Sequence, residues 1–294
     1  MYLVVGATGL VGAEVCRLLA SKGQKVRAMV RSTSDKVRVD RLTEWKVELT
    51  QGDLNDAASV AKACQGVEGV ISTASASPSF KPGDSIQGVD LDGTRRLIDA
   101  AKAAGAKEFS FVSFRQSKYA NPLWEAKKAA EEHLRESGMK YTVWHPSFFM
   151  DVWLAMPEVL GFDGPNAKAR VYGSGKSKVT WIASADVAAF VAEGLGEDAT
   201  RNATIQLGGP DQLSYADVIG IYEGLGGKKF TVEYVPEVVF RQQFESAADP
   251  VSKSFAALMA WLANGDLVEM TQTLASVPVK LTSVRDFAKR QLGK

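Results

Sequence analysis

Cysteine and histidine are scarce in this 294-residue chain, with two of each. Cys16 and Cys64 form no CxxC pair and fall in helical-looking segments. That excludes a disulfide scaffold and predicts two buried, reduced thiols in a reducing compartment. His133 and His145 alone cannot build a zinc site from His and Cys, so no metal is expected. An excess of one charge is also missing. Lys plus Arg number 35 and Asp plus Glu 34, a net charge of +1. This leaves no basic surface of the kind that holds nucleic acid by counterion release. Long apolar runs are absent as well. No stretch approaches the roughly 18 apolar residues of a membrane span, and the most apolar region, 141–156, is broken by His145, Pro146 and Asp151. Residues 2–5 run straight into Gly6 with no basic leader and no cleavage site. The expectation is a cytoplasmic protein with no membrane association.

What remains is ordinary globular composition, 46% hydrophobic and 23% charged, long enough for one large domain or two small ones. The first half alternates strand and helix signals. Apolar runs at 2–6, 25–30, 46–50, 67–73, 108–113 and 140–144 read as strands. Helical spacing marks 10–22, 56–64, 90–104 and 123–137, with glycines at 23, 105 and 138 as stops. Strands that are apolar throughout belong to a parallel sheet covered on both faces, and right-handed crossovers make it doubly wound. After residue 146 the rhythm changes, with Gly- and Pro-rich loops at 161–166 and 173–178. Helix signals follow at 184–195, 214–224, 236–264 and 282–292, and strands at 203–207 and 230–235. The predicted organisation is α/β: a Rossmann domain over 1–150 completed by part of 180–210. Most of 151–294 forms a smaller lobe over the strand ends.

Gly6-Ala7-Thr8-Gly9-Leu10-Val11-Gly12 lies between the first strand and the first helix. In such a turn Gly6 closes the strand, Gly9 lets backbone approach a pyrophosphate, and Gly12 lets the helix pack on the sheet. The helix N-terminus supplies free N–H groups for the phosphates. Position after a strand, before an amphipathic helix and inside a βαβ unit is the context that makes the motif meaningful. The second strand ends Val30-Arg31-Ser32 with no carboxylate to accept from a ribose 2′-hydroxyl. Arg31 suits a 2′-phosphate instead, with Ser32 and Lys36 as added contacts, so NADP(H) is preferred to NAD(H). The alternative is a solvated surface arginine. Asp35 and Asp40 read as loop residues. In Gly52-Asp53-Leu54, Asp53 either meets the adenine amine or caps a helix start. Thr73-Ala74-Ser75 ends the fourth strand with small residues that would let a cofactor ribose pass.

GATGLVG, the VR strand ending, GDL at 52–54, VISTAS at 70–75, KKAAEEHLRESGMKYTVWHP and the closing SVPVKLTSVRDFAKRQL together resemble the NmrA-like group. These are atypical short-chain dehydrogenases/reductases similar to isoflavone reductases and bacterial NADPH quinone reductases. The resemblance implies a Rossmann domain, NADP(H) and a small-molecule pocket. It places Lys127 at the family's lysine, holding the nicotinamide ribose and orienting a proton donor. The usual tyrosine four residues earlier is Leu123 here. The surface alternative pairs Lys127 with Glu131, while Lys128 reads as surface. Ser113, at the end of the fifth strand, stands where a substrate-polarising hydroxyl would be. His145 replaces a common arginine and reads as structural. Pro146, Ser147 and Phe148 would run beside the nicotinamide. Phe149, Trp153 and Met156, with Phe148, make either a substrate wall or plain core. Tyr119 is a second candidate at the substrate.

Two functions are compatible with these residues. One is an NADPH-dependent reductase, passing hydride to a mostly apolar quinone, enone or carbonyl compound, with Lys127 and Ser113 at the reacting centre. The other is an NADP(H)-sensing regulator without turnover, which the missing tyrosine keeps open. A monomer or homodimer is expected.

Overall fold

The computed structural model describes residues 1–77, 83–115, 119 and 121–294. The chain divides into two compact units. The first comprises Met1–Phe114, Leu123–His145 and Val187–Ile205; the second comprises Arg115–Pro122, Pro146–Asp186 and Gln206–Lys294.

The first unit is built on β1 (Tyr2–Val5), α1 (Leu10–Ser21), β2 (Val26–Val30), α2 (Lys36–Glu44), β3 (Glu48–Gln51), α3 (Ala57–Ala63) and β4 (Gly69–Ser72). These are followed by a π-helix over Ile86–Gly93, α4 (Thr94–Ala103), β5 (Glu108–Val112), α5 (Pro122–Glu136) and β6 (Lys140–Pro146). The strand Ala203–Leu207 completes a seven-stranded sheet in the order Ala203–Leu207, β6, β5, β4, β1, β2, β3. The strands pair in parallel, for example Val4 with Ala28 and with Ile71. Crossing from β3 to β4 past β2 and β1 reverses the direction of winding at β1. That reversal is the switch point of a doubly wound α/β fold, and the turn after β1 opens at it. The sheet is buried because Leu3, Val5, Val70, Phe109, Phe111 and Val143 pack with Leu97, Ile98, Ala130 and Leu134 from the helices. Trp144 is fully buried and donates its indole N–H to Ser110 Oγ at 2.8 Å, the partner a buried indole requires.

Several expectations are corrected. Asp35 is the N-cap of α2, its side chain accepting from the Arg38 amide, and Asp40 lies within that helix, so neither is a loop residue. α2 gave little periodic signal because only Leu42 of its nine residues is buried. The helix predicted at 90–104 begins at Ile86, as a π-helix capped by Ser85. The strand predicted at 140–144 runs two residues further and ends at Pro146.

The second unit holds a three-stranded sheet in the order Thr231–Val235, Lys168–Tyr172, Phe162–Asp163. The last of these falls inside the predicted 161–166 loop. The helix Tyr215–Gly226 opens with a capping box, Ser214 and Asp217 each bonding the other's backbone, an arrangement that satisfies two orphan amides at once. Helices Glu237–Ser246, Pro250–Asn264 and Val284–Gln291 complete it. No helix among the described residues is long and apolar enough to cross a membrane. The described residues also hold no cluster of three or more His, Cys, Asp or Glu side chains suited to a metal.

Candidate functional site

The first unit gathers its chemistry at the C-terminal ends of the central strands. Gly6 has φ +85°, and a Cβ there would lie 2.6 Å from Thr73 Oγ1, so only glycine fits both the left-handed backbone and the contact. The Gly9 amide donates to Gly6 O at 2.9 Å, closing the turn. Gly12 sits against the same carbonyl, and its missing Cβ would fall 2.6 Å from Thr73 Oγ1. Gly9 differs, since the only atom within 4 Å of a Cβ there, beyond its chain neighbours, is Gly6 O at 3.2 Å. Its outer side is open. α1 starts at Leu10 with no side-chain cap and no acid in its first turn, which leaves its first amides and dipole end unopposed. Leu10 is half exposed, although Ala7 and Val11 beside it are buried. This is a cradle that a dinucleotide pyrophosphate fits, with the helix amides as donors.

Arg31, at the end of β2, is partly exposed, and its Nη1 is 2.6 Å from Asp84 Oδ1. Ser32 is exposed. Arg38, which sequence reasoning did not select, donates from Nη1 to Thr8 O at 3.0 Å. Nothing in its sequence position signals that reach. Lys36 is engaged with Asp40 on α2. Asp53 Oδ1 accepts from the Asn55 amide at 2.8 Å, an Asx-type turn, and Leu54 is buried. Thr73 Oγ1 bonds back to Val5 O at 3.2 Å, Ala74 is half-buried, and Ser75 Oγ accepts from Ser77 N.

Lys127 is only 5% exposed. Its Nζ lies 3.1 Å from Asp90 Oδ1 and 5.2 Å from the centre of the Phe111 ring. Asp90 comes from the π-helix, and its other oxygen accepts from the Ala76 amide at 3.1 Å. The surface alternative for Lys127, pairing with Glu131, is overturned. Glu131 accepts on Oε1 from Ser113 Oγ at 2.5 Å and pairs there with His145 Nε2 at 2.7 Å. Its Oε2 takes Arg135 at 2.9 Å. Burial alone would raise the Glu131 pKa, but the His145, Ser113 and Arg135 bonds outweigh it and hold the carboxyl below its usual range. Ser113 therefore spends its proton on Glu131, and His145 is a partnered histidine. Lys128 is exposed, beside Glu132 at 3.6 Å. Leu123, at the position of the missing tyrosine, is buried.

The remaining candidates belong to the second unit. Pro146 and Ser147 are buried, and Ser147 Oγ donates to Asp266 Oδ2 at 2.6 Å. Asp266 is also paired with Arg115. Phe148 is the hub of an aromatic cluster, with ring centroids 5.1 Å from both Trp153 and Trp261, edge to face. Trp153 is buried and stacks on Phe255 at 6.5 Å. Phe149 is half-buried and bridges to Ile182. The Tyr119 hydroxyl accepts from Asn264 Nδ2 at 2.9 Å.

A doubly wound parallel sheet with a glycine-rich turn at its switch point defines a Rossmann-type nucleotide-binding class of fold. Within that class the chain belongs to the NmrA-like family, whose model matches residues 2–288. The photosystem II assembly factor Ycf39 of Cyanophora paradoxa is 32% identical over 236 residues, covering 80% of this chain and 71% of that protein. The NAD(P)H azoreductase of Xenophilus azovorans is 29% identical over 265 residues, covering 87% and 86%. Among solved structures, the NADPH-dependent quinone oxidoreductase of Escherichia coli, crystallised with NADPH, superposes with a TM-score of 0.79 over 99% of both chains at 22% identity.

Proposed function

We propose that this protein is an NADPH-dependent oxidoreductase that reduces a small, mostly apolar quinone, enone or carbonyl compound. The observation that carries the reading is the turn at Gly6–Gly12, closed on itself by glycine contacts yet open at Gly9 and uncapped at α1. Bound NADPH would supply the hydride. Gly9 and the first amides of α1 hold the pyrophosphate, and Arg31 takes the 2′-phosphate, a charge-assisted contact that a guanidinium suits. Thr73, Ala74 and Ser75 line the ribose path.

Lys127 is the group for the reacting end. Asp90 keeps its ammonium in one place, so it can hold a ribose hydroxyl and order a proton donor without reorganising. Ser113 serves as an acceptor, because Glu131 already holds its hydrogen. Phe148, Phe149, Trp153 and Tyr119 are assigned to the substrate side in this reading. A buried aromatic set favours apolar acceptors. The similarity to an azoreductase supports turnover.

A second reading, a nucleotide-holding assembly or regulatory factor without turnover, is favoured by Leu123 in place of the tyrosine and by the assembly-factor relatives. Titration with NADPH, followed by absorbance at the nicotinamide band with menadione, an enone and an aldehyde as acceptors, separates the two. Binding with oxidation by at least one acceptor supports the reductase. Binding with none supports the second reading, and no binding removes both.

A further inference from the structure

The end of β2 carries Arg31 and no acid that could meet a ribose 2′-hydroxyl, which in sequence favours NADP(H). The fold supplies one from elsewhere. Asp84, 53 residues beyond Arg31, has a side chain only 6% exposed, and its Oδ1 lies 2.6 Å from Arg31 Nη1. Arg31 has few other ties. Its backbone amide donates to Ser34 Oγ and its carbonyl accepts from the Ser34 amide, both at 3.0 Å. Neither bond engages the guanidinium. Among the charged residues that follow it, Asp35 caps α2, Lys36 pairs with Asp40, and Arg38 is directed to Thr8 O.

We infer that Asp84 is a specificity-determining residue: it limits the preference for NADPH and lets the same subsite accept NADH. The inference deepens the reading above and rests on Arg31 being the group that meets the 2′ position. Two physical effects carry it. A 2′-phosphate brings nearly two negative charges to a guanidinium that is already neutralised, and the carboxylate beside it repels them. A 2′-hydroxyl instead finds an ionised acceptor, and donating to a carboxylate is the usual way NAD sites hold that group. An arginine without a buried carboxylate would discriminate strongly for the phosphate. The pair discriminates weakly, because each nucleotide finds one favourable partner and one unfavourable or idle one. Asp84 directly precedes Ser85, the cap of the π-helix that carries Asp90, so its position is fixed by the element that also holds Lys127.

The test is Asp84→Asn, which keeps the shape and removes the charge, with Asp84→Ala as a second variant. NADPH and NADH are titrated separately by calorimetry against the full chain, with the thermal midpoint as a check on folding. Asp84→Asn should tighten NADPH by about tenfold and leave NADH unchanged or weaker, the size expected when a like charge a few ångströms from the phosphate is removed. Raising the salt concentration should shrink the gain. An unchanged ratio of the two affinities in both variants overturns the inference. So does a loss of NADPH affinity, which would make Asp84 a support that orients Arg31 and not a competitor. If the wild-type chain binds neither nucleotide, it is the nucleotide-binding reading that has failed. A wild-type chain that binds NADPH while Asp84→Asn changes nothing sinks the role of Asp84 alone.

Discussion

Two glycines three residues apart in the same turn should respond in opposite ways to the smallest substitution. At Gly9, φ is −82° and ψ 174°, extended backbone open to any residue, and an added Cβ meets only Gly6 O at 3.2 Å. Replacing an N-cap glycine by alanine costs roughly 0.5–1 kcal/mol of capping preference, and the stiffer unfolded chain returns about 0.4–1 kcal/mol, so Gly9→Ala should leave stability nearly unchanged. At Gly12 the Cβ collides with the Gly6 carbonyl and sits 2.6 Å from Thr73 Oγ1. The Gly6 carbonyl is backbone held by the Gly9 amide, and the Thr73 hydroxyl is a side chain already bonded to Val5 O, so neither steps aside freely. Overpacking of this kind costs about 1–3 kcal/mol, and a backbone obstacle puts Gly12→Ala at the upper end. For a unit of this size that corresponds to a fall of roughly 6–12 °C in Tm. The assay pairs thermal unfolding with NADPH titration. Gly9→Ala should keep its Tm and bind NADPH at least tenfold more weakly, while Gly9→Val should fold and bind none. Gly12→Ala should lose Tm first. A Gly9→Val protein that folds and binds NADPH like the wild type would show that the turn is only structural.

Three further outcomes follow from the same geometry. Arg31→Ala should lose about 1.5–3 kcal/mol of NADPH affinity, the worth of a charge-assisted contact, with NADH little affected because Asp84 remains; calorimetry with both nucleotides checks it. Lys127→Met leaves Asp90 buried and unpaired, which costs about 3–5 kcal/mol, so the Lys127→Met, Asp90→Asn double variant should regain much of that stability in denaturant unfolding while staying inactive in NADPH oxidation. Full activity in the double variant would remove Lys127 from the site. Glu131 has a folded-state pKa below its unfolded value, so its contribution is present above the unfolded pKa and is lost as pH falls through the folded one. Glu131→Gln should cost about 1–3 kcal/mol at neutral pH and flatten the decline of stability below about pH 4.5; an acid limb identical to the wild type refutes the assignment.

Much was legible without coordinates wherever the relevant partners are close in sequence. The Gly6–Gly12 turn is local, because strand end, tight turn and helix start occupy seven consecutive residues whose spacing is itself the geometry. The helix at 10–22 and the stops at Gly23, Gly105 and Gly138 follow from apolar spacing and from the positive φ these glycines take, +75°, +80° and +75°. Parallel pairing could be foreseen because β1, β4 and β5 are short runs rich in apolar residues, and the fold buries almost every position of them on both faces. α2 could not, since a helix with one buried residue carries almost no periodic signal. The π-helix start escaped for a different reason. A π-helix departs from the 3.6-residue spacing by which a helix is recognised in sequence, so its residues carry no such signal.

The side-chain partnerships belong to tertiary structure alone. Lys127 and Glu131 are one helical turn apart on α5, a spacing that by itself also allows an ordinary surface pair. The fold buries both and gives each to another element, Lys127 to Asp90 and Glu131 to Ser113 and His145. Arg31 likewise stood as a cation without a counter-charge until the chain returned with Asp84. The physical reason is that sequence dictates which residues share a face of one helix or strand. Which ion meets which is decided when sheet order brings separate loops to the same strand ends, where burial makes an unpaired charge too costly to leave.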